Sequence, residues 1–164
     1  MRIDTPLLIV GGGPGALAAA EVASGFRLPS LVVGHVAAAG PDPEMPVALD
    51  AAALAALDHH GVLDVLRPYL AVADPPTVSP HVFEDIVKHH CVADMNVTVY
   101  DAMEVVDRRP DTGGGLDAVL TDGRARWELH ADAWIDTTAY PSGLAEAVAT
   151  AAADVEAILR RARP

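Results

Sequence analysis

The 164-residue chain carries 23 acidic against 11 basic side chains, a net charge of −12, which disfavours nucleic acid and anionic membrane surfaces as partners. At 51% hydrophobic and 21% charged residues it lies far from the disordered range, its length suits one domain, and no apolar run approaches the roughly 20 residues of a membrane span. A single cysteine, Cys91, excludes an internal disulfide, and a soluble cytoplasmic protein is expected.

Residues 7–34 read as strand, turn, helix and strand. An apolar run ends at Val10, then Gly11, Gly12, Gly13, Pro14, Gly15 and Ala16 open an alanine-rich helix that continues to about residue 24, and a second apolar run follows at 31–33. Gly11 and Gly13 suit a tight turn and a close approach of backbone to ligand. Ala16 stands where a small side chain lets the helix pack on the strand, so the pattern is G-x-G-x-x-A. A helix starting there aims free N–H groups and the positive end of its dipole at whatever fills the turn, which favours a pyrophosphate. The competing reading is a glycine-rich loop that binds no nucleotide.

A dinucleotide site of this type uses Asp or Glu at the end of the second strand to accept a hydrogen bond from ribose. This chain has Gly34 and His35 there. A ribose contact then falls to His35 or to a backbone group, and the bare backbone at Gly34 lets an adenosine pass closely. NADP remains an alternative ligand, although no basic residue stands between Gly34 and Glu44 to receive its extra phosphate.

Residues 36–46, rich in Ala, Gly and Pro, read as a loop. Helical spacing follows at 47–57 and 62–70, ended by Asp74-Pro75-Pro76. The 41–76 excursion has an apolar face that must cover something, such as a ligand crevice or a partner subunit. Residues 81–94 read as a helix begun by Ser79-Pro80, and 96–106 as one β-strand. Residues 108–115 read as a turn with a flexible tip. The segments 116–121 and 127–130 form a hairpin around Asp122-Gly123, 133–137 a short buried strand, and 143–161 a final amphipathic helix. The expected fold is α/β: a three-layer Rossmann-like domain with a central parallel sheet, helices and a small antiparallel excursion, one domain over residues 1–164.

His59-His60 and His89-His90-Cys91 carry metal-ligating chemistry, but adjacent histidines on a helix point about 100° apart, so each pair offers one ligand easily. Solvated or packed histidines are the default and no metal is expected. Cys91 reads as a buried small hydrophobe. Trp127, Trp134 and Tyr140 read as sheet packing. No nucleophile–base pattern is visible, so catalytic residues stay open.

This order of elements resembles the FAD-binding domain of the glutathione-reductase and p-hydroxybenzoate-hydroxylase type flavoproteins. The first motif of that family usually reads Gly-Gly-Gly-Pro-Ala-Gly, and residues 11–16 read Gly-Gly-Gly-Pro-Gly-Ala. The helix 81–94 is similar to one that those hydroxylases often begin with arginine, where this chain has His81. Residues 135–143 look like both the Ala-Thr-Gly strand end, with Ala139 in place of its glycine, and the later Gly-Asp motif, through Asp136, Pro141, Gly143, Ala147 and Asp154. In full-size members a substrate domain separates these two motifs; here they are merged.

The resemblance implies an FAD-dependent oxidoreductase domain in minimal form. Gly11–Ala16 would hold the pyrophosphate, the Val105 backbone would lie beside adenine, and Asp136 would contact the ribityl chain. A second subunit, as a homodimer or a partner protein, would cover the flavin, and the small-molecule substrate is unknown. Two alternatives stand beside it. Asp136 can instead cap the final helix through Thr137 or Thr138, and the departures at Gly34, His81 and Ala139 suit a non-catalytic subunit that keeps the fold without tight cofactor binding.

Overall fold

The computed structural model describes residues 2–34, 45–59, 61–141 and 143–162. The glycine turn leaves strand β1 (Arg2–Val10) and enters helix α1 (Pro14–Gly25), which returns to β2 (Ser30–Val33). A two-stranded antiparallel clip, β3 (Val47–Ala48) with β4 (Thr77–Val78), brackets the short helices α2 (Ala51–His59) and α3 (Val62–Leu66). Helix α4 (Pro80–Ala93) leads to β5 (Val97–Tyr100). The strands β6 (Glu104–Pro110), β7 (Leu116–Thr121) and β8 (Arg126–Asp136) follow, and α5 (Leu144–Ala162) is the last described element.

The six long strands pair in the order β5-β2-β1-β8-β7-β6, with β5, β2, β1 and β8 parallel and β8, β7 and β6 an antiparallel meander. Strands β5 and β6 therefore lie at opposite edges, yet only residues 101–103 join them. Four Cα steps reach at most about 14 Å, whereas five strand spacings of a flat sheet span about 24 Å. The sheet must fold back on itself.

The burial pattern shows that it does. Leu7, Ile9 and Val32 point into a core shared with the helices, while their neighbours Leu8, Val10, Leu31 and Val33 pack against Leu116, Ala118, Leu120, Leu129 and Ala131 of the meander. Both faces of β1 and β2 are covered, which is why these strands are continuous apolar runs rather than alternating ones. The result is three layers: helices, parallel sheet, antiparallel meander. The expected fold class holds.

Several boundaries differ from those the sequence suggests. The single strand expected over 96–106 is two strands, because its first half pairs with β2 and its second with β7. The hairpin arm at 127–130 and residues 133–136 of the strand expected at 133–137 are one strand, β8, in which residues 126–131 pair with β7 and residues 128–136 run along β1, while Thr137 opens a 3-10 turn. The expected turn at 108–115 starts at Asp111, since residues 108–110 pair in β6. Its tip is tied down by Asp111 Oδ1, which accepts from the N–H groups of Gly113 at 2.7 Å and Gly115 at 2.8 Å.

The helix expected over 47–57 starts at residue 51. Asp50 caps it by accepting from Ala53 N–H at 2.8 Å, and Val47 pairs with Val78 instead. The helix expected over 62–70 becomes a 3-10 turn at Arg67–Tyr69, where Pro68 stands. The apolar face of this excursion, with Leu49, Ala53, Leu57, Val62 and Leu66, joins the core under the helices. It covers the helix layer. No described helix is long and apolar enough to cross a membrane.

Candidate functional site

Three parallel strands end side by side, with Val33, Val10 and Asp136 at matching register. The residues that follow them, Gly34, Gly11 and Thr137, meet at the C-terminal edge of the sheet, where open α/β folds place their ligands. Gly11 N–H donates to Val33 O at 2.8 Å, and Thr137 Oγ1 donates to Val10 O at 3.1 Å. The chain is tight here: a Cβ on Gly11, whose φ is 119°, would stand 2.3 Å from Thr137 Oγ1. One on Gly34, φ 146°, would stand 2.7 Å from the Gly11 carbonyl carbon. These two glycines permit protein to approach protein. An acidic side chain at residue 34 has no room, which accounts for its absence.

Gly13 opens helix α1. It is the N-cap of α1 at φ 84°, with no side-chain cap, Pro14 follows it, and the first turn holds no acidic residue. Proline has no N–H, the first bond along the helix runs from Leu17 N–H to Gly13 O at 3.2 Å, and among the described residues no side chain caps the N–H groups of Gly15 and Ala16. Uncapped donors at the positive end of a helix fit a diphosphate, and no acidic side chain in the first turn competes for them.

Asp136 lies at the end of β8 beside this turn. Its carboxylate accepts from Thr138 N–H at 3.0 Å and from the Thr138 hydroxyl, and it pairs with Arg108, which reaches across from β6. Partial burial raises its pKa, but the bonds from Thr138 and Arg108 and the Arg108 charge outweigh it and hold the carboxyl below the usual range. Asp136 therefore caps the short 3-10 turn Thr137–Ala139 as an ionised group. Arg108 escaped the sequence reading, since its partner lies 28 residues away and its segment read as a turn.

Val105 is the second residue of β6, opposite Leu120 and packed on the meander core. The register shifts between Val105 and Asp107, a bulge that disrupts the ladder with β7 locally. The structure thus brings Gly11, Gly12, Gly13, Pro14, Gly15, Ala16, Gly34 and Asp136 to one edge and sets Val105 just past the end of β5. His35 lies outside the described residues, as does His60.

Tyr140 is the residue that sequence reasoning placed among packing aromatics and that the structure places at the turn. Its ring lies on Gly15: a Cβ there would be 2.8 Å from Tyr140 Cδ2. The phenol donates to Asp154 Oδ2 on α5 at 2.5 Å. Burial, that bond and the charges of Asp154 and Asp136 all push the phenol's pKa up. The exchange of Ala and Gly at residues 15 and 16 was the visible signal, since only glycine leaves space for the ring.

The remaining polar cluster lies between α1 and α4. Glu21, 2% exposed, accepts from Cys91 Sγ at 3.0 Å, and its other oxygen lies 2.8 Å from His90 Nδ1. Nearby, the Ser24 hydroxyl donates to Asp94. His89 Nδ1 lies 2.7 Å from the Asp85 carbonyl, one turn back. Among the described residues, no group of three or more His, Cys, Asp and Glu could hold a metal. Cys91 is fully buried, and burial, the Glu21 charge and the bond to Glu21 push its thiol up. Iodoacetamide should leave Cys91 unmodified in native buffer and alkylate it after unfolding; labelling of the native protein, read by intact mass, would contradict this burial.

No family model matches the sequence, and no curated protein matches it. Solved structures do match. A p-nitrophenol 4-monooxygenase, PnpA from Pseudomonas putida, superposes with a TM-score of 0.68 at 17% identity over 83% of this chain and 41% of its own. The chain shares that fold. The flavin-dependent monooxygenase PieE, solved in complex with FAD and substrate, gives a TM-score of 0.66 at 17% identity over 80% of this chain and 30% of its own. A flavoprotein/dehydrogenase from Cytophaga hutchinsonii gives 0.61 at 16% identity, over 84% and 39%. The chain spans less than half the length of each of these proteins.

Proposed function

We propose that this chain is an FAD-binding domain of oxidoreductase type, a single domain that seats the cofactor's diphosphate on the first turn of α1. The observation that carries the reading is the start of α1 at the C-terminal edge of the parallel sheet, where Gly13 stands at the N-cap without a side-chain cap and the first turn holds no acidic residue. The fold shared with PieE, whose structure contains FAD, supports the choice of ligand. On this reading Gly13, Gly15 and Ala16 bind the diphosphate, Asp136 accepts from the ribityl chain, and the bulged backbone at Val105 meets adenine. The flavin supplies the redox chemistry, while these residues position it. Cover for its ring comes from a second copy or a partner protein, and the substrate is a small molecule.

The test is a thermal-shift titration with FAD, NADP and ADP. FAD at about 100 times its Kd should stabilise the protein by about 2.7 kcal/mol. Gly13→Val should abolish that response while lowering the unliganded Tm, because a β-branched residue is strained at φ 84°. A wild-type Tm that ignores FAD overturns the reading.

The ring of Tyr140 on Gly15 favours a second reading, in which protein permanently closes the first turn of α1 and the chain is a non-catalytic subunit. An FAD response of the wild-type protein excludes it.

A further inference from the structure

Strand β8 outruns its partner on one side. Residues 128–136 run along β1, but β7 begins at Leu116, opposite Ala131, so residues 132–136 pair on one side alone. The ladder also fixes where their main-chain groups point. Gly11 N–H donates to Val33 O on β2, and alternation turns the main chain of Val10 and Leu8 the other way, toward β8, where Val10 O accepts from the Thr137 hydroxyl. In a parallel ladder the residue opposite a bonded one turns its own groups away. Trp134, opposite Leu8, and Asp132, two residues earlier, therefore aim N–H and C=O at the open side. Among the described residues no hydrogen bond meets them there.

The space beside this edge has a shape. A cavity of about 260 Å³ lies between the strand and α5, lined by Ile135 on β8 and by Ala157 and Ile158 on the helix, with Asp154 and Arg161 one turn before and after them. Ile135 belongs to the core on the helix side, and Trp134 packs on the meander side. A strand laid along residues 132–136 would thus send alternate side chains into the cavity under α5 and onto Trp134. Five residues make an edge about 13 Å long, which suits a short strand.

We propose that residues 132–136 of β8 take an extended segment of a different protein as a further strand of the sheet, with an apolar side chain in the cavity beside Ile135 and Ile158 and a basic side chain at Asp132. Charge selects this occupant. Two copies of this chain meeting antiparallel at Trp134 would set Asp132 of each opposite Asp136 of the other, and like charges directly opposite destabilise a pair. Each copy also carries a net charge of −12. The same charge, with the Asp132 side chain 76% exposed at the edge itself, attracts a basic segment. This docking edge stands on strand pairing alone and is independent of the FAD reading. It ends at Asp136, so a segment running past it would arrive beside the glycine turn.

The experiment selects ten-residue peptides from a phage-displayed library on the full chain without FAD, then measures the Kd of the most enriched synthetic peptide for wild type, Asp132→Pro, Asp132→Lys and Ala157→Glu. Enriched peptides should alternate apolar with polar residues, carry Lys or Arg, and slow amide exchange at Trp134. Proline at residue 132 removes an N–H that faces the open side and leaves the β1 ladder intact, while glutamate at residue 157 fills the cavity from the helix. Each of the three variants should weaken binding about tenfold, and because Ala157→Glu leaves β8 untouched, a folding defect of Asp132→Pro does not decide the matter. No enriched peptide, or binding that Asp132→Pro and Ala157→Glu leave unchanged, overturns the docking edge; binding indifferent to Asp132→Lys overturns the basic partner. Self-association of the chain that by itself slows exchange at residues 132–136 overturns the proposal in favour of a second copy.

Discussion

Gly34→Ala should destabilise the protein by about 3–5 kcal/mol, or prevent folding, whereas Gly61→Ala should cost about 1 kcal/mol. Both glycines have positive φ, 146° and 77° respectively, so both substitutions strain the backbone. The difference lies in what the new methyl group meets. At Gly61 nothing stands within 4 Å. At Gly34 the three nearest atoms are the carbonyl carbon, oxygen and Cα of Gly11, at 2.7, 2.9 and 3.0 Å. These are backbone atoms, and Gly11 is itself held by its N–H bond to Val33 O and by Thr137 on its other side. Neither strand can retreat without breaking the ladder between β1 and β2. Urea denaturation of the two variants at equal temperature measures the contrast; equal losses would show that strain alone governs both positions. In this structure the backbone at the end of β2 packs directly against the glycine turn.

The glycine turn was legible because its signals are local: an apolar run, three glycines, a proline at the first helical position and alanines beyond. The two-sided burial of β1 and β2 was equally legible in their unbroken apolar runs. The break at residues 101–103 was not, since Asp-Ala-Met carries no turn signature and the β-rich pattern runs through it. What splits that segment is pairing with β2 on one side and β7 on the other, a choice made by tertiary structure. The same holds for β8, where Asp132 between two alanines reads as a gap but lies within one continuous strand along β1. Within the site, the strand-end position of Asp136 was readable. Its engagement by Arg108 was not, because the ion pair spans two strands whose closeness depends on the sheet folding back. Tyr140 was hidden for the same reason. A glycine and an alanine exchanged against a family pattern signal an altered neighbour, but the neighbour can be named only once the chain ends are brought together.

Glu21→Ala should cost about 2–4 kcal/mol, and Glu21→Met less than about half of that. Glu21 lies inside α1 among alanines and is 2% exposed, a position where a carboxylate loses nearly all hydration. Its two oxygens recover part of that loss from Cys91 Sγ at 3.0 Å and His90 Nδ1 at 2.8 Å, both on α4. Truncation to alanine removes the acceptor for both groups and leaves a void between the helices. His90 is partly exposed and can turn to water, but Cys91 is fully buried and cannot. Methionine restores the volume and forgoes the polar bonds, and a well-packed apolar group in place of a buried ionic one often costs little. A Glu21→Met variant as unstable as Glu21→Ala would show that the bonds to Cys91 and His90, rather than packing, hold α1 against α4. The outcome bears on the site, because α1 carries the glycine turn at its start. A helix seated by shape keeps its N-terminus in place in Glu21→Met, which should then bind FAD as the wild type does; a helix seated by the carboxylate should lose affinity along with stability.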